Sequence, residues 1–409
     1  MRILLVHRNF PGQFRHLAPA LRRAGHEVAV LTWKGNPNPQ SLPHIAYAHE
    51  MAPATGLTGT FDAMAANGAA AAEAAEAHRR RTGEAPDVVF GSINWGETLF
   101  LREVWPEARH LGYAEFLYAT RGLDTGFDPE FAPRDAAAEF ATRLRVTARR
   151  AHLIQAAVQA DALLAPTAWQ ASTFPPELRA KMQVIHDGVD TRRVAPDPAA
   201  TYQLPGGPLL RAGDEVITFV NRNLEPYRGF HTFLRALPRV LRARPGAQVV
   251  LVGDTGRGYG PLPGPGRSWK DMLLEELGDG LDLSRLHFTG RIPYADLLDV
   301  IRVGRVHAYL TYPFVLSWSL LEAMSLGACV FASDTVPVRE VIEDGVTGRL
   351  IDFFDADAWA DALIDALADP QRQAPLRAAA RQHVVETYDL STVCLPRLLR
   401  FVETAGTAA

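Results

Sequence analysis

The chain of 409 residues is long enough for two or three domains with separate apolar cores. Its 42 basic and 46 acidic residues leave a net charge of −4, and 47% of the chain is hydrophobic, which disfavours disorder and nucleic acid as the main partner. All but three basic residues (Lys34, Lys181 and Lys270) are arginines, so arginine is expected where chemistry usually takes a lysine.

Cys329 and Cys394 fit neither a disulfide framework nor a metal-ligand spacing. The apolar run after Met1 is too short for a signal peptide, and no stretch reaches the ~18 apolar residues of a membrane span. The expectation is a cytoplasmic protein, with at most weak peripheral contact at the inner face of a membrane.

In chain order, an apolar run at 2–6, a turn at Asn9-Phe10-Pro11-Gly12, a helical pattern over 13–24 and an apolar run at 27–31 form a βαβ unit. Helices follow at about 62–81, near Gly96 and at about 134–160, with strands at 88–90, 109–113, 162–165 and 184–185. Residues 187–214, rich in proline and glycine, read as an interdomain linker. A second series places strands at 216–220, 248–252, 286–288, 306–310, 328–332 and 349–351. Its helices lie near 229–242, 269–277, 294–302, 317–326, 338–343, 356–367 and 373–387. The fold class is α/β, with doubly wound Rossmann-like domains at 1–186 and 215–387 facing across a cleft, where strand carboxyl ends receive ligands.

No G-x-G-x-x-G follows a strand, and Walker, H-E-x-x-H and G-x-S-x-G motifs are absent. The only D-x-D, Asp355-Ala356-Asp357, opens a helix and reads as a cap, so no metal site is expected. The strand at 216–220 runs into Asn221 to Gly229 and then a helix. Arg222 and Arg228 there make an anion site suited to a diphosphate, with surface pairing to Glu225 as the alternative. Ser317, Trp318 and Ser319 open a helix whose amides suit a second phosphate face. Glu322, one turn in, is placed to accept from a ribose diol or to close a capping box with Ser319.

In the first half, Asn94, Trp95 and Glu97 follow a strand end and are candidate acceptor contacts, with a core tryptophan and a helix-dipole partner as the alternative. The segment 113–135 mixes Phe116, Tyr118, Phe127 and Phe131 with Arg121 and several carboxylates. That composition suits carbohydrate, or equally a loop packing on itself. Arg143, Arg145, Arg149 and Arg150 read as a solvated face or a contact for anionic headgroups. His7 and His186 flank strand ends and are more often bystanders.

Together these stretches resemble the family-4 glycosyltransferases of the GT-B fold. The likeness is carried by Arg222 and Arg228, by Glu322-Ala323-Met324-Ser325-Leu326-Gly327, by Glu340 to Gly348, by Gly188-Val189-Asp190 and by Gly25-His26-Glu27-Val28. The resemblance implies transfer of a sugar from a nucleotide-diphosphate donor to a glycan, lipid-linked or small-molecule hydroxyl, with retention and without metal or cofactor. It makes Arg222 and Arg228 catalytic and assigns Gly12, Ser317, Trp318, Ser319, Glu322 and Arg291 to the donor. It also brings the last helices, about 373–402, back onto the first domain, which a helix at about 388–405 joins. Phe314 stands where the family has a sugar-contacting glutamate, and Glu115 stands in the place of its histidine, which makes it a third catalytic residue, stabilising an oxocarbenium-like centre or contacting a hydroxyl. A nucleotide-sugar epimerase, or a binding paralogue without transfer, shares the architecture.

Overall fold

The computed structural model describes residues 1–37, 42–51 and 54–406. The first sheet is built from β1 (Arg2–Val6), β2 (Glu27–Trp33), β3 (His44–Tyr47), β4 (Val88–Ser92), β5 (Arg109–Tyr113), β6 (Ala162–Ala165) and β7 (Met182–Val184). Their order is β3-β2-β1-β4-β5-β6-β7, and every neighbour is parallel. Parallel strands covered on both faces read as unbroken apolar runs, and the two-residue alternation divides them. Ile3, Leu5, Val88 and Phe90 enter one core, and Leu4, Val6 and Val89 enter another.

The alanine-rich helix Gly59–Thr82 covers the second of these faces. Small residues let it sit close: a Cβ on Gly68 would fall 2.4 Å from the Gly96 carbonyl oxygen. The helix Leu395–Thr404 seals the other face with Leu398, Phe401 and Val402. Each such buried side chain contributes roughly 2 kcal/mol.

A hairpin, β8 (Thr201–Gln203) with β9 (Leu209–Arg211), precedes the second sheet. That sheet comprises β10 (Val216–Asn223), β11 (Gln248–Asp254), β12 (Leu286–Gly290), β13 (Val306–Tyr309), β14 (Val330–Ser333) and β15 (Arg349–Ile351). The order is β12-β11-β10-β13-β14-β15, again parallel. In both sheets the winding reverses beside the first strand, between β1 and β4 and between β10 and β13. Loops at such switch points splay apart at the carboxyl end and leave room for a ligand.

The chain divides into Met1–Gly188 with Leu390–Ala409, and Val189–Asp389. Residues 187–214 are therefore not the expected linker. Val189, Val194, Ala200, Tyr202, Leu204 and Leu210 are buried in the second unit's core. Prolines and glycines there shape turns around a hairpin, which periodicity could not distinguish from a linker.

Other boundaries shift as well. The expected helix over 134–160 is two helices, Ala136–Arg149 and Ala151–Gln159, interrupted at Arg150. The helix Ala374–Tyr388 stays with the second unit, and the return to the first begins at Leu390, within the joining helix expected at about 388–405. The strand β3 escaped the sequence reading because four residues give too short a run.

Candidate active site

In the second unit β10 runs past the switch point to Asn223, so Arg222 lies on the strand and is exposed. Pro226–Arg228 form one tight turn, Gly229 takes φ +64°, and the helix Phe230–Ala243 starts. A side chain at Gly229 would also collide with Leu310, so glycine is required twice over.

Arg228, in contrast to Arg222, is buried. Its Nη1 donates to Thr311 Oγ1 at 2.8 Å and to the Val315 carbonyl at 2.9 Å. Its guanidinium carbon lies 5.2 Å from the Tyr259 ring centroid and 5.7 Å from that of Phe314. The cation is thus held in one orientation at the carboxyl end of β10 and β13.

Glu225 pairs with neither arginine. Its carboxylate accepts the Tyr259 and Gly260 amides, both at 2.9 Å, and so fixes the glycine-rich loop after β11. Burial pushes this carboxyl up, opposed by the two amides. Gly258 passes so close that a Cβ would overlap the carboxylate. Phe314 is buried edge-on against Tyr227 and Tyr259, filling its position with aromatic packing.

The helix Trp318–Ser325 has Ser317 as its N-cap. The Ser317 amide and hydroxyl both reach Tyr309 Oη, at 3.0 and 3.1 Å, so this amide is not available to a phosphate as expected. Ser319 is the second residue of the helix, and the Ser319–Glu322 capping box does not form. Glu322 instead accepts from Tyr294 Oη at 2.6 Å. Ser319 Oγ is buried without a hydrogen-bond partner among the described residues, and Trp318 beside it is exposed. Arg291, just past β12, lies 3.3 Å from Asp254 at the end of β11.

The D-x-D behaves as a cap: Asp355 accepts the Ala358 amide and Asp357 pairs with Arg239. The stretch Glu340 to Gly348 closes on itself, with Gly345 at φ +73° and Asp344 accepting the Leu350 amide.

In the first unit Gly12 has φ +46°, and a Cβ there would fall 2.5 Å from His7 Nε2. His7 is buried beneath it and held down to about 4 by burial, so it is neutral at pH 7. Asn94 donates to Glu115 Oε2 at 2.9 Å, bringing two of the expected site residues together. Trp95 is 38% exposed, as a stacking surface requires.

Glu97 is a correction. It is buried, takes the Tyr47 hydroxyl at 2.7 Å and is pushed up by burial, so it supports the loop and does not reach an acceptor. Arg121 is exposed and pairs with Glu139 rather than joining Asn94. Phe116 packs on Trp169 and Tyr118, and Arg149 lies 3.8 Å from the Tyr118 ring centroid, so this part of 113–135 packs against the helices Ala136–Arg149 and Ala168–Ser172. Sequence reasoning passed over Arg8, Tyr47, Asn67 and Tyr294, and placed Glu225 only as a surface partner of the two arginines. No motif marks them, although Arg8 stands two residues past the end of β1.

Two parallel-sheet Rossmann-like units in this order define a GT-B fold. Residues 24–194 match the model described as "Glycosyl transferase family 4 group", and residues 206–383 match "Glycosyl transferases group 1". The chain belongs to the family-4 glycosyltransferases.

The phosphatidyl-myo-inositol mannosyltransferase of Mycolicibacterium smegmatis is 33% identical over 228 residues, covering 55% of this chain and 52% of the relative. The match thus spans about half the length of that relative. Sucrose-phosphate synthase from Thermosynechococcus elongatus superposes with a TM-score of 0.70 at 20% identity over 98% of each chain. HepE from Anabaena, in complex with UDP-glucose, gives 0.67 at 16% identity over 98% of this chain and 99% of that one. Among the described residues no helix is long and apolar enough to cross a membrane.

Proposed function

We propose that the chain transfers a sugar from a nucleoside-diphosphate sugar to a hydroxyl acceptor, with retention at the anomeric carbon. The observation that carries this reading is Arg228, buried and held by Thr311 and Val315 where a strand end meets a helix start. A fixed, desolvated cation stabilises charge that appears only as the reaction proceeds. Here the anomeric carbon–oxygen bond breaks, its electron pair goes to the diphosphate, and Arg228 with Arg222 meets the new charge. The orphan hydroxyl of Ser319 at a helix amino end suits a phosphate oxygen, and Glu322 suits the ribose diol.

The acceptor hydroxyl forms the new bond to the anomeric carbon, and its proton leaves on the departing phosphate oxygen. Glu115, oriented by Asn94, is the carboxylate proposed for the acceptor side. Arginines and helix amides supply the positive charge that a metal would otherwise provide, because the D-x-D aspartates are engaged as a cap and an ion pair.

A relative named as a phosphatidyl-myo-inositol mannosyltransferase, and a neighbour in fold solved with UDP-glucose, support a nucleotide-sugar donor and a hydroxyl acceptor. Peripheral contact with anionic headgroups belongs to the same proposal. The helix Ala136–Arg149 buries no residue and exposes Phe140 and Leu144 among its arginines. The test is incubation with a panel of UDP- and GDP-sugars and hydroxyl acceptors. Acceptor-dependent release of nucleoside diphosphate is expected, and an epimerised sugar nucleotide without release would refute transfer.

A further inference from the structure

At the switch point of the first sheet, between β1 and β4, the chain leaves β1 through His7 and Arg8. Arg8 is half-buried and fixed on three sides. Its guanidinium carbon lies 4.6 Å from the Trp33 ring centroid, and its Nη1 donates to Asn67 Oδ1 at 3.0 Å and to Tyr47 Oη at 3.5 Å. Each of these partners is itself held. Asn67, fully buried, donates to the Trp95 carbonyl at 2.7 Å, and Tyr47 donates to Glu97 at 2.7 Å.

The opposite edge of the guanidinium differs. Among the described residues neither Nε nor Nη2 of Arg8 has a hydrogen-bond partner, and Arg8 forms no ion pair. Glu97 is the nearby acid, but the Tyr47 hydroxyl stands between them, and burial favours its neutral form. Lys34, exposed at the end of β2, adds a second positive charge. A guanidinium whose Nε–Nη2 edge is open, oriented by a ring face and two hydrogen bonds, matches the two oxygens of a phosphate or carboxylate. A simple structural brace would spend that edge on the protein.

We propose that Arg8 binds an anionic group of the acceptor, a phosphate ester foremost, with the adjacent exposed Trp95 offering a face to the acceptor's ring. This deepens the transferase reading and rests on it for the word acceptor. The binding site itself does not depend on transfer.

The test uses the full chain with UDP and GDP both present to fill the donor site. Calorimetry then compares glucose 6-phosphate with glucose. The wild type is expected to bind the phosphorylated sugar at least tenfold tighter, and Arg8→Gln to lose that difference while binding of UDP and GDP stays unchanged. Arg8→Lys, which keeps charge without the fork, is expected to fall between.

Equal binding of the two sugars by the wild type, no binding of either, or a preference that survives in Arg8→Gln would overturn the proposal. Sedimentation with phosphatidylcholine vesicles, with and without phosphatidic acid, separates the sources. Arg8-dependent capture by phosphatidic acid means a lipid phosphate, and sugar-phosphate binding alone means a soluble one. If Arg8-dependent binding holds while no donor–acceptor pair releases nucleoside diphosphate, the transferase reading fails and the anion site stands.

Discussion

The hydroxyl of Tyr294 donates to Glu322 Oε1 at 2.6 Å, from the first residue of one helix to the second turn of another. A glutamate that looked in sequence like the closing member of a capping box is therefore oriented from outside its own helix. One oxygen is engaged by Tyr294, which sets the direction of the carboxylate.

Glu322→Gln should weaken binding of the donor nucleotide about tenfold, ~1.4 kcal/mol, while the melting temperature barely moves. Tyr294→Phe should weaken it less, by loosening the carboxylate. Ser319→Ala should not show the ~1 kcal/mol loss of a missing cap, because Ser319 is not the cap. Calorimetry with UDP and GDP decides, and unchanged affinity in Glu322→Gln would remove Glu322 from the donor site.

The two arginines should behave differently. Arg222 is exposed, so Arg222→Ala should leave stability within ~0.5 kcal/mol of wild type while turnover falls by about 10² to 10³. Arg228→Ala should show a comparable loss of turnover and also lower stability by about 1–3 kcal/mol, since Thr311 and the Val315 carbonyl lose a buried partner. Denaturant melts beside steady-state kinetics separate the effects.

Metal removal should leave activity intact. Asp355→Asn keeps a competent cap and should be close to silent, whereas Asp355→Ala should cost ~1 kcal/mol of stability without touching turnover. Loss of activity in EDTA, restored by Mg²⁺ or Mn²⁺, would contradict this.

With Phe314 packed among Tyr227 and Tyr259, no carboxylate at that position holds the donor sugar. Free nucleoside diphosphate should then bind within about tenfold of the intact sugar nucleotide. A hundredfold advantage for the sugar nucleotide would show that other groups grip the sugar.

Burial holds His7, His186 and His307 down at about 4, against about 6.5 when unfolded. Between these values the unfolded chain carries protons that the folded chain lacks. Stability contributed by the three neutral rings is therefore complete above about pH 6.5 and declines as pH falls toward 4, by up to ~1.4 kcal/mol per pH unit for each ring. Melting temperatures across this window should show the decline. His186→Asn, which can still accept the Gly188 amide, should make it shallower.

Except for the short β3, the strands of both sheets were legible because parallel, doubly covered strands are unbroken apolar runs, as at Ile3 to Val6 and Val216 to Val220. The Arg222–Arg228 loop and the helix at Trp318 were legible because strand end, turn and helix start are local in sequence. What escaped was long-range. Tyr294 meets Glu322 across 28 residues, Asn67 meets Arg8 across 59, and Glu97 meets Tyr47 across 50. No local period encodes such pairs, so the sequence offers Glu97 as a ligand contact or a helix-dipole partner and does not show the buried brace that it is.

The chain leaves the first unit after Gly188 and re-enters it at Leu390, at neighbouring points. Gly188, at φ +86°, would place a Cβ 2.8 Å from Leu390 Cα, and the Val189 amide donates to the Tyr388 carbonyl at 2.8 Å. In connectivity the second unit is therefore an insertion within the first. During synthesis the amino-terminal sheet waits for about two hundred residues before Leu398, Phe401 and Val402 arrive to cover it. An amino-terminal fragment ending at 188 would expose that apolar face to solvent. A shorter protein that joins 188 directly to 390 would instead rebuild the whole core of the first unit and could be purified without the second.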